Sequence, residues 1–190
     1  MIPVNINQSG TYDFMVDTGS HLNLIDPALA AQLHLKSKGT VGLVATAAYS
    51  QASVGVLDSL QVGTQLVLKP LVAVHGPIQA ADPRIRGVLG ENFLGHYNVL
   101  IDYSRRLLCL DEAKLMEKAL RGERIPLVSS IHLGTDIAFT ERLVVSVNLS
   151  DTGARPILLQ VDSGSDGAIL YAGNRQLEQS LLRNKWSMGH

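Results

Sequence analysis

Apolar and polar residues alternate with period two where the chain begins. Val4 and Ile6 stand between polar neighbours, Gln8-Ser9-Gly10 offers a turn, and Tyr12, Phe14 and Val16 resume the alternation. This pattern predicts two half-buried strands joined as a hairpin. The hairpin runs into Asp17-Thr18-Gly19-Ser20. Asp26-Pro27 predicts a helix start, with Asp as N-cap and Pro in the first position, and apolar spacing of three and four carries that helix from Ala28 to Leu35. Gly39 to Ser53 is rich in Gly and small residues, which predicts an exposed, mobile hairpin with little to fill a core. Val54 to Val74 holds further strand-like pieces with a turn at Gly63-Thr64. Gly87-Val88-Leu89-Gly90 precedes a short helical turn, Glu91 to Leu94. Val99 to Ile101 and Leu107 to Leu110 bracket Ser104-Arg105-Arg106 as another hairpin. Asp111 predicts the cap of a helix reaching Leu120, with Gly122 past its end.

The opening pattern then returns. Leu143 to Leu149 resembles Ile2 to Asn7, a turn spans Ser150 to Pro156, and Ile157 to Val161 runs into Asp162-Ser163-Gly164-Ser165. Ala168-Ile169-Leu170 follows as Leu22 to Ile25 follows the first copy. Hairpin, acidic turn and apolar strand therefore occur twice, which predicts duplicated lobes. Tyr171 to Asn184 reads as helical around Leu177, Leu181 and Leu182.

Composition narrows the field. The 190 residues carry 16 Lys+Arg against 17 Asp+Glu, a formal net charge of −1, so no basic footprint for nucleic acid exists. At 46% hydrophobic the chain is too apolar for intrinsic disorder, and no run approaches the roughly 18 apolar residues of a membrane span. Cys109 is the single cysteine, which excludes an intrachain disulfide and a cysteine-based zinc site; its apolar run places it in the core. No leader-like segment opens the sequence, and the compartment stays open.

The two acidic turns stand where apolar strands end. Gly19 and Gly164 let a second backbone approach where a Cβ would clash, and Thr18 and Ser163 set a hydroxyl beside each carboxylate. Asp151-Thr152-Gly153 repeats the tripeptide but follows polar residues and precedes Arg155-Pro156, so it reads as an ordinary turn. Phe14 to Ser20, followed by Val88-Leu89-Gly90, resembles the retropepsin-like aspartic peptidases, the family that includes the two-lobed pepsins. The resemblance implies a mainly β fold: a closed barrel lobe with a flap hairpin and short helices over residues 1–111, a helical connector over 112–135 and a partial second lobe over 136–190. It implies Asp17 and Asp162 as catalytic carboxylates, supported by Thr18, Gly19, Ser20, Ser163, Gly164 and Ser165. Val88, Leu89 and Gly90 would pack beneath the catalytic loop, and Val41, Gly42, Leu43, Val44 and Tyr49 would belong to a flap over a peptide or protein substrate. By the same resemblance Thr18 hydrogen-bonds across the two-fold axis, and the Ser20 hydroxyl supports Asp17.

Such chemistry needs two carboxylates sharing one proton, one to accept a proton from water and one to donate toward the scissile carbonyl. It needs no metal or cofactor. Two pairings stay open. Only 28 residues follow Asp162, too few for a second flap and apolar-apolar-Gly strand. For the chain as given this favours a homodimer pairing Asp17 with its symmetry mate; in a longer parent, Asp17 pairs with Asp162. A non-catalytic peptide-binding or dimerisation module is the rival class.

Other candidates carry less. The six histidines lack metalloprotease spacing, and neither a nucleophile elbow nor a phosphate-binding loop occurs. His21 reads as a partly exposed loop residue next to the acidic turn. Arg84 and Arg86 read as solvated loop charges, and Trp186 as a packing or partner contact.

Overall fold

The computed structural model describes residues 1–45, 48–76, 78, 82–111, 120–128, 143–148 and 156–167. These residues are mainly β, with two short helices. The opening hairpin pairs β1 (Ile2–Ile6) with β2 (Gly10–Val16). Its turn is made by Asn7 and Gln8, both left-handed at φ 50° and 56°. The Asn7 side-chain oxygen accepts the N–H groups of Asp58 and Ser59 at 2.8 and 3.0 Å, which ties the turn to the strand that follows Asp58.

After β3 (Asn23–Ile25) comes α1 (Pro27–Gln32), capped by Asp26, whose Oδ1 accepts the Leu29 N–H at 2.9 Å. The helix stops short of the predicted Leu35. His34 turns left-handed (φ 49°) and Leu35 swings onto Gly55, where a Cβ would lie 2.6 Å from Leu35 Cγ. Packing against the sheet thus outweighs the apolar spacing that would have continued the helix. The small-residue stretch forms a hairpin of β4 (Gly39–Ala45) and β5 (Ala48–Val56). Then follow β6 (Ser59–Val62) and β7 (Gln65–Leu68), joined through left-handed Gly63, and β8 (Leu71–Val74). The last elements are β9 (Ile85–Leu89), α2 (Glu91–Leu94), β10 (Asn98–Asp102), β11 (Leu107–Asp111), β12 (Val144–Val147) and β13 (Ile157–Gln160).

Nine strands form one sheet in the order β4-β5-β8-β3-β9-β2-β1-β6-β7. The centre of that order positions the acidic turn. Strand β9 lies between β3 and β2, parallel to β2 and antiparallel to β3, with Val16 opposite Leu89 and Leu24 opposite Val88. A strand covered on both sides and both faces must be apolar or lack a side chain, and Ile85, Gly87, Val88 and Leu89 are all buried. One face of β2 and β9 supplies Phe14 and Leu89 to the main core with Val4, Ile6, Leu29, Leu60 and Phe93. Each such fully buried side chain contributes about 1.5–3 kcal/mol of transfer free energy. The other face supplies Met15 and Val88 to a small cluster with Leu24, Ile78 and Ile85. Val41 and Leu43 pack on Leu22, Ala52 and Ala73, so the β4–β5 hairpin has more apolar support than its composition predicts.

The pairs β10–β11 and β12–β13 form separate two-stranded sheets. Leu127 bridges Val145, and the Val128 N–H donates to Val144 O at 2.8 Å, so part of the predicted connector lines up beside β12. Cys109 does not reach the core: the two-stranded sheet carrying it leaves it half-buried. The predicted helix after Asp111, the turn at Asp151-Thr152-Gly153, the strand at Ala168 to Leu170, and the segment with Trp186 lie outside the described residues.

Candidate active site

The chain leaves β2 at Val16 and turns at once. Asp17 anchors its own turn: its N–H donates to Leu89 O at 3.1 Å, and its Oδ1 accepts the N–H groups of Gly19 and Ser20 at 2.8 and 3.1 Å. The second acidic turn leaves β13 in the same manner, with Asp162 Oδ1 accepting the Gly164 N–H at 2.8 Å. In each turn the serine hydroxyl donates two residues on, Ser20 to Leu22 O at 2.8 Å and Ser165 to Gly167 O at 2.7 Å. The Ser20 hydroxyl is therefore directed away from Asp17, contrary to expectation. A carboxylate taking two backbone donors fills that place, and the hydroxyl holds the loop.

The two turns meet within one chain. The Thr18 N–H donates to Ser163 Oγ at 3.1 Å, and the Ser163 N–H donates to Thr18 Oγ1 at 3.0 Å. Each hydroxyl passes its own hydrogen onward, Thr18 to Val161 O at 2.8 Å and Ser163 to Val16 O at 3.1 Å. Each glycine then faces the opposite acid. A Cβ at Gly19 would lie 2.5 Å from Asp162 Cγ, and one at Gly164 would lie 2.5 Å from Asp17 Cγ. These links come in reciprocal pairs, as a local two-fold requires. One further link has no reciprocal: Gln160 Nε2 donates to Gly19 O at 3.2 Å, while Met15, at the corresponding place, has no such donor.

This geometry sets the electrostatics. Burial comes first, followed by the charge of Asp162 and a hydrogen bond between the two carboxyls; together they push the Asp17 carboxyl up to about 6. The N–H groups of Gly19 and Ser20 pull the other way without cancelling the rise. A carboxylic acid beside a second carboxyl, one of them holding its proton up to about pH 6, can both accept and donate a proton.

A polar frame behind the first turn was not visible in the sequence. Asn23 is fully buried; its N–H donates to Asn92 Oδ1 at 2.7 Å and its Oδ1 accepts the Gly90 N–H at 2.9 Å. Asn92 Nδ2 donates to Leu71 O at 2.8 Å, and the Glu91 N–H donates to Ser20 O at 2.8 Å. Gly90 is needed for this approach, since a Cβ there would lie 2.5 Å from Leu22 O. Val88 and Leu89 are buried beneath the turn. His21 Nδ1 lies 3.5 Å from Oε2 of buried Glu91.

Of the two expectations about arginines, one changes and one holds. Arg86 is half-buried and bonded to Asp26, Nε to Oδ2 at 2.6 Å, because the cap residue is 2% exposed and its charge needs a partner. Burial raises the Asp26 carboxyl, but the Arg86 hydrogen bond and the Leu29 N–H outweigh it and hold it below the usual range. Arg84 is an exposed loop charge as expected, paired with Asp82 at 2.7 Å. On the β4–β5 hairpin, Tyr49 is 69% exposed, opposes Val44 in register, and lies across Gly42, where a Cβ would be 2.7 Å from its hydroxyl. Among the described residues, no three His, Cys, Asp or Glu side chains group as metal ligands, and no helix is long and apolar enough to cross a membrane.

Residues 2–93 match the family model described as aspartyl protease. Asp17 to Ser20 and Val88 to Gly90 fall inside that match, and Asp162 falls outside it. No curated protein matches the chain. Among solved structures, a retropepsin-like aspartic protease from Rickettsia conorii is 24% identical, with 58% of this chain and 80% of that one covered and a TM-score of 0.44. The retroviral protease-like domain of Ddi1 from Leishmania major is 15% identical, with 58% and 86% covered and a TM-score of 0.39.

Proposed function

Since the chain carries a retropepsin-like aspartyl protease domain, we propose that it hydrolyses peptide bonds as an aspartic endopeptidase, with Asp17 and Asp162 as the catalytic pair. The observation that carries this reading is the reciprocal lock between the two acidic turns, which sets each carboxyl against the other turn's glycine. Two unrelated surface turns have no reason to bring their carboxylates together in this reciprocal way. The arrangement suits a pair that shares one proton.

In this mechanism a water sits between the two carboxyls. The ionised member takes its proton as it attacks the scissile carbonyl, and the protonated member donates to the carbonyl oxygen. The attack is direct, with no acyl-enzyme. Thr18 and Ser163 hold the carboxyls in register, and the backbone N–H groups of Gly19, Ser20 and Gly164 orient them. The β4–β5 hairpin is the flap. It closes on an extended peptide, with Val41, Gly42, Leu43, Val44 and Tyr49 nearest the substrate. Residues 1–111 form one closed barrel lobe, 112–135 a connector, and 136–190 the start of a second lobe. The return of a hairpin and acidic turn in β12, β13 and Asp162 supports that division.

The test is peptide hydrolysis at acidic pH by the wild-type chain, Asp17→Asn and Asp162→Asn, with pepstatin as probe. Loss of turnover in both variants and inhibition by pepstatin support the pair. Full activity in Asp162→Asn, with loss in Asp17→Asn and a dimer by sedimentation, would move the second carboxylate to another copy. A folded wild-type chain that neither cleaves nor binds pepstatin would be a non-catalytic module.

A further inference from the structure

We propose that Gln160 forms a polar wall on one side of the cleft, opposite an apolar wall built on Met15, and that the protein therefore selects bonds joining a large apolar residue to a hydrogen-bonding one. This rests on the peptidase reading and adds its substrate class.

Met15 and Gln160 each stand two residues before a carboxylate. The local two-fold that relates Thr18 to Ser163, Gly19 to Gly164 and Ser20 to Ser165 relates these two as well. Here the repeat departs from symmetry in chemistry. Met15 packs against Ile78, Ile85 and Val88, an apolar cluster separate from the main core and on the opposite face of β2. Gln160 is exposed on β13, and its carboxamide reaches across the axis to Gly19 O at 3.2 Å. Gly19 is the residue that faces the Asp162 carboxyl. The carboxamide is thus fixed at the margin of the acid pair, in contact with the opposite turn.

A side-chain amide has two N–H donors and a carbonyl acceptor. One donor is spent on Gly19, which leaves a donor and an acceptor fixed in place. A peptide lying across the carboxyls covers both walls. A substrate side chain that bonds to the amide keeps it satisfied, and an apolar one buries it without a partner. On the Met15 side the preference reverses, because a polar side chain laid against half-buried Met15, with Ile78, Ile85 and Val88 packed behind it, stays unpaired. The asymmetry gives the substrate a direction that a symmetric pair of lobes would lack.

Cleavage of a randomised peptide library by wild-type protein, Gln160→Met and Gln160→Glu tests this. The wild type is expected to favour large apolar residues on one side of the cut and Gln, Asn, Ser or Thr on the other. Gln160→Met makes both sides apolar, changing the kcat/KM ratio of matched apolar–polar and apolar–apolar peptides by about tenfold or more. Gln160→Glu brings in Lys or Arg on the Gln160 side, and the Met15 side keeps its preference in both variants. Wild-type cleavage with profiles unchanged in both variants overturns the inference and leaves the peptidase reading standing. Absence of any wild-type cleavage overturns both.

Discussion

Thr18 and Ser163, 145 residues apart in sequence, hydrogen-bond each other twice, and each hydroxyl continues to the carbonyl just before the opposite aspartate. Thr18 is 6% exposed and its hydrogen bonds to the opposite turn are part-buried. Thr18→Val keeps the shape and removes the hydroxyl, leaving the Ser163 N–H and Val161 O without their partner. It should destabilise the chain by about 1–3 kcal/mol in urea denaturation. Thr18→Ser should lose little. A double-mutant cycle with Ser163→Ala should return a coupling of about 1 kcal/mol or more, and additive losses would mean that the turns do not act as a unit.

Gly19→Ala and Gly164→Ala test the close approach of the turns. Either methyl would lie 2.5 Å from a carboxyl carbon and 2.6–2.7 Å from its oxygens. The facing carboxyl must shift, which loosens the burial of the pair and the influence of Asp162 and lowers the Asp17 carboxyl back toward the ordinary range. Peptidase activity should fall by about 100-fold or more, as misplacement of about 1 Å is enough for such a loss. Carboxyl titration by NMR would follow the shift; an Asp17 still titrating near 6 in Gly164→Ala would contradict the contact.

Asp17 gives a pH dependence with a definite sign. Its carboxyl is raised to about 6, so the folded state holds that proton more tightly than the unfolded chain does. The contribution is fully present below the ordinary carboxylate range and is lost as pH rises through about 6. Asp17→Asn cannot ionise, so it should gain stability over wild type from pH 4 to 7, by about 1–2 kcal/mol once solvent screening is allowed for. Activity should decline above pH 6 for the same reason, because the pair then loses its shared proton.

The Asp26–Arg86 pair predicts the opposite limb. Arg86→Leu leaves the carboxylate at 2% exposure without its cation and should cost about 2–3 kcal/mol, tempered by the remaining Leu29 N–H and the partial exposure of Arg86. The Asp26 carboxyl is held low, so its contribution is present above the unfolded value and lost as pH falls through the folded one. Asp26→Asn keeps the helix cap and should flatten that acid limb in thermal melts.

The local pattern carried far: the strand alternation around β1 and β2, the cap at Asp26 and the repeat that led to Asp162 were legible because each is written over a few neighbouring residues. What was missed depends on distance in the chain. Asn23, Gly90 and Asn92 hydrogen-bond across 67 to 69 positions, and Arg86 finds Asp26 across 60. An Arg near a turn looks solvated until the fold brings a buried acid to it. The Ser20 hydroxyl was read by its proximity to Asp17, but the turn directs it to Leu22 O. Gln160 could have been noticed: it interrupts the apolar run Ile157 to Val161 where the first copy carries Met15.

The interval between Asp17 and Asp162 also sets a schedule. A ribosome adds about 5–20 residues per second, so the first acidic turn waits roughly 7–30 s for the second to be made. Residues 2–93, the span of the aspartyl protease match, are complete well before then, yet their carboxylate has no neighbour to share a proton with. The nascent chain therefore emerges with its scaffold built and its acid pair unassembled.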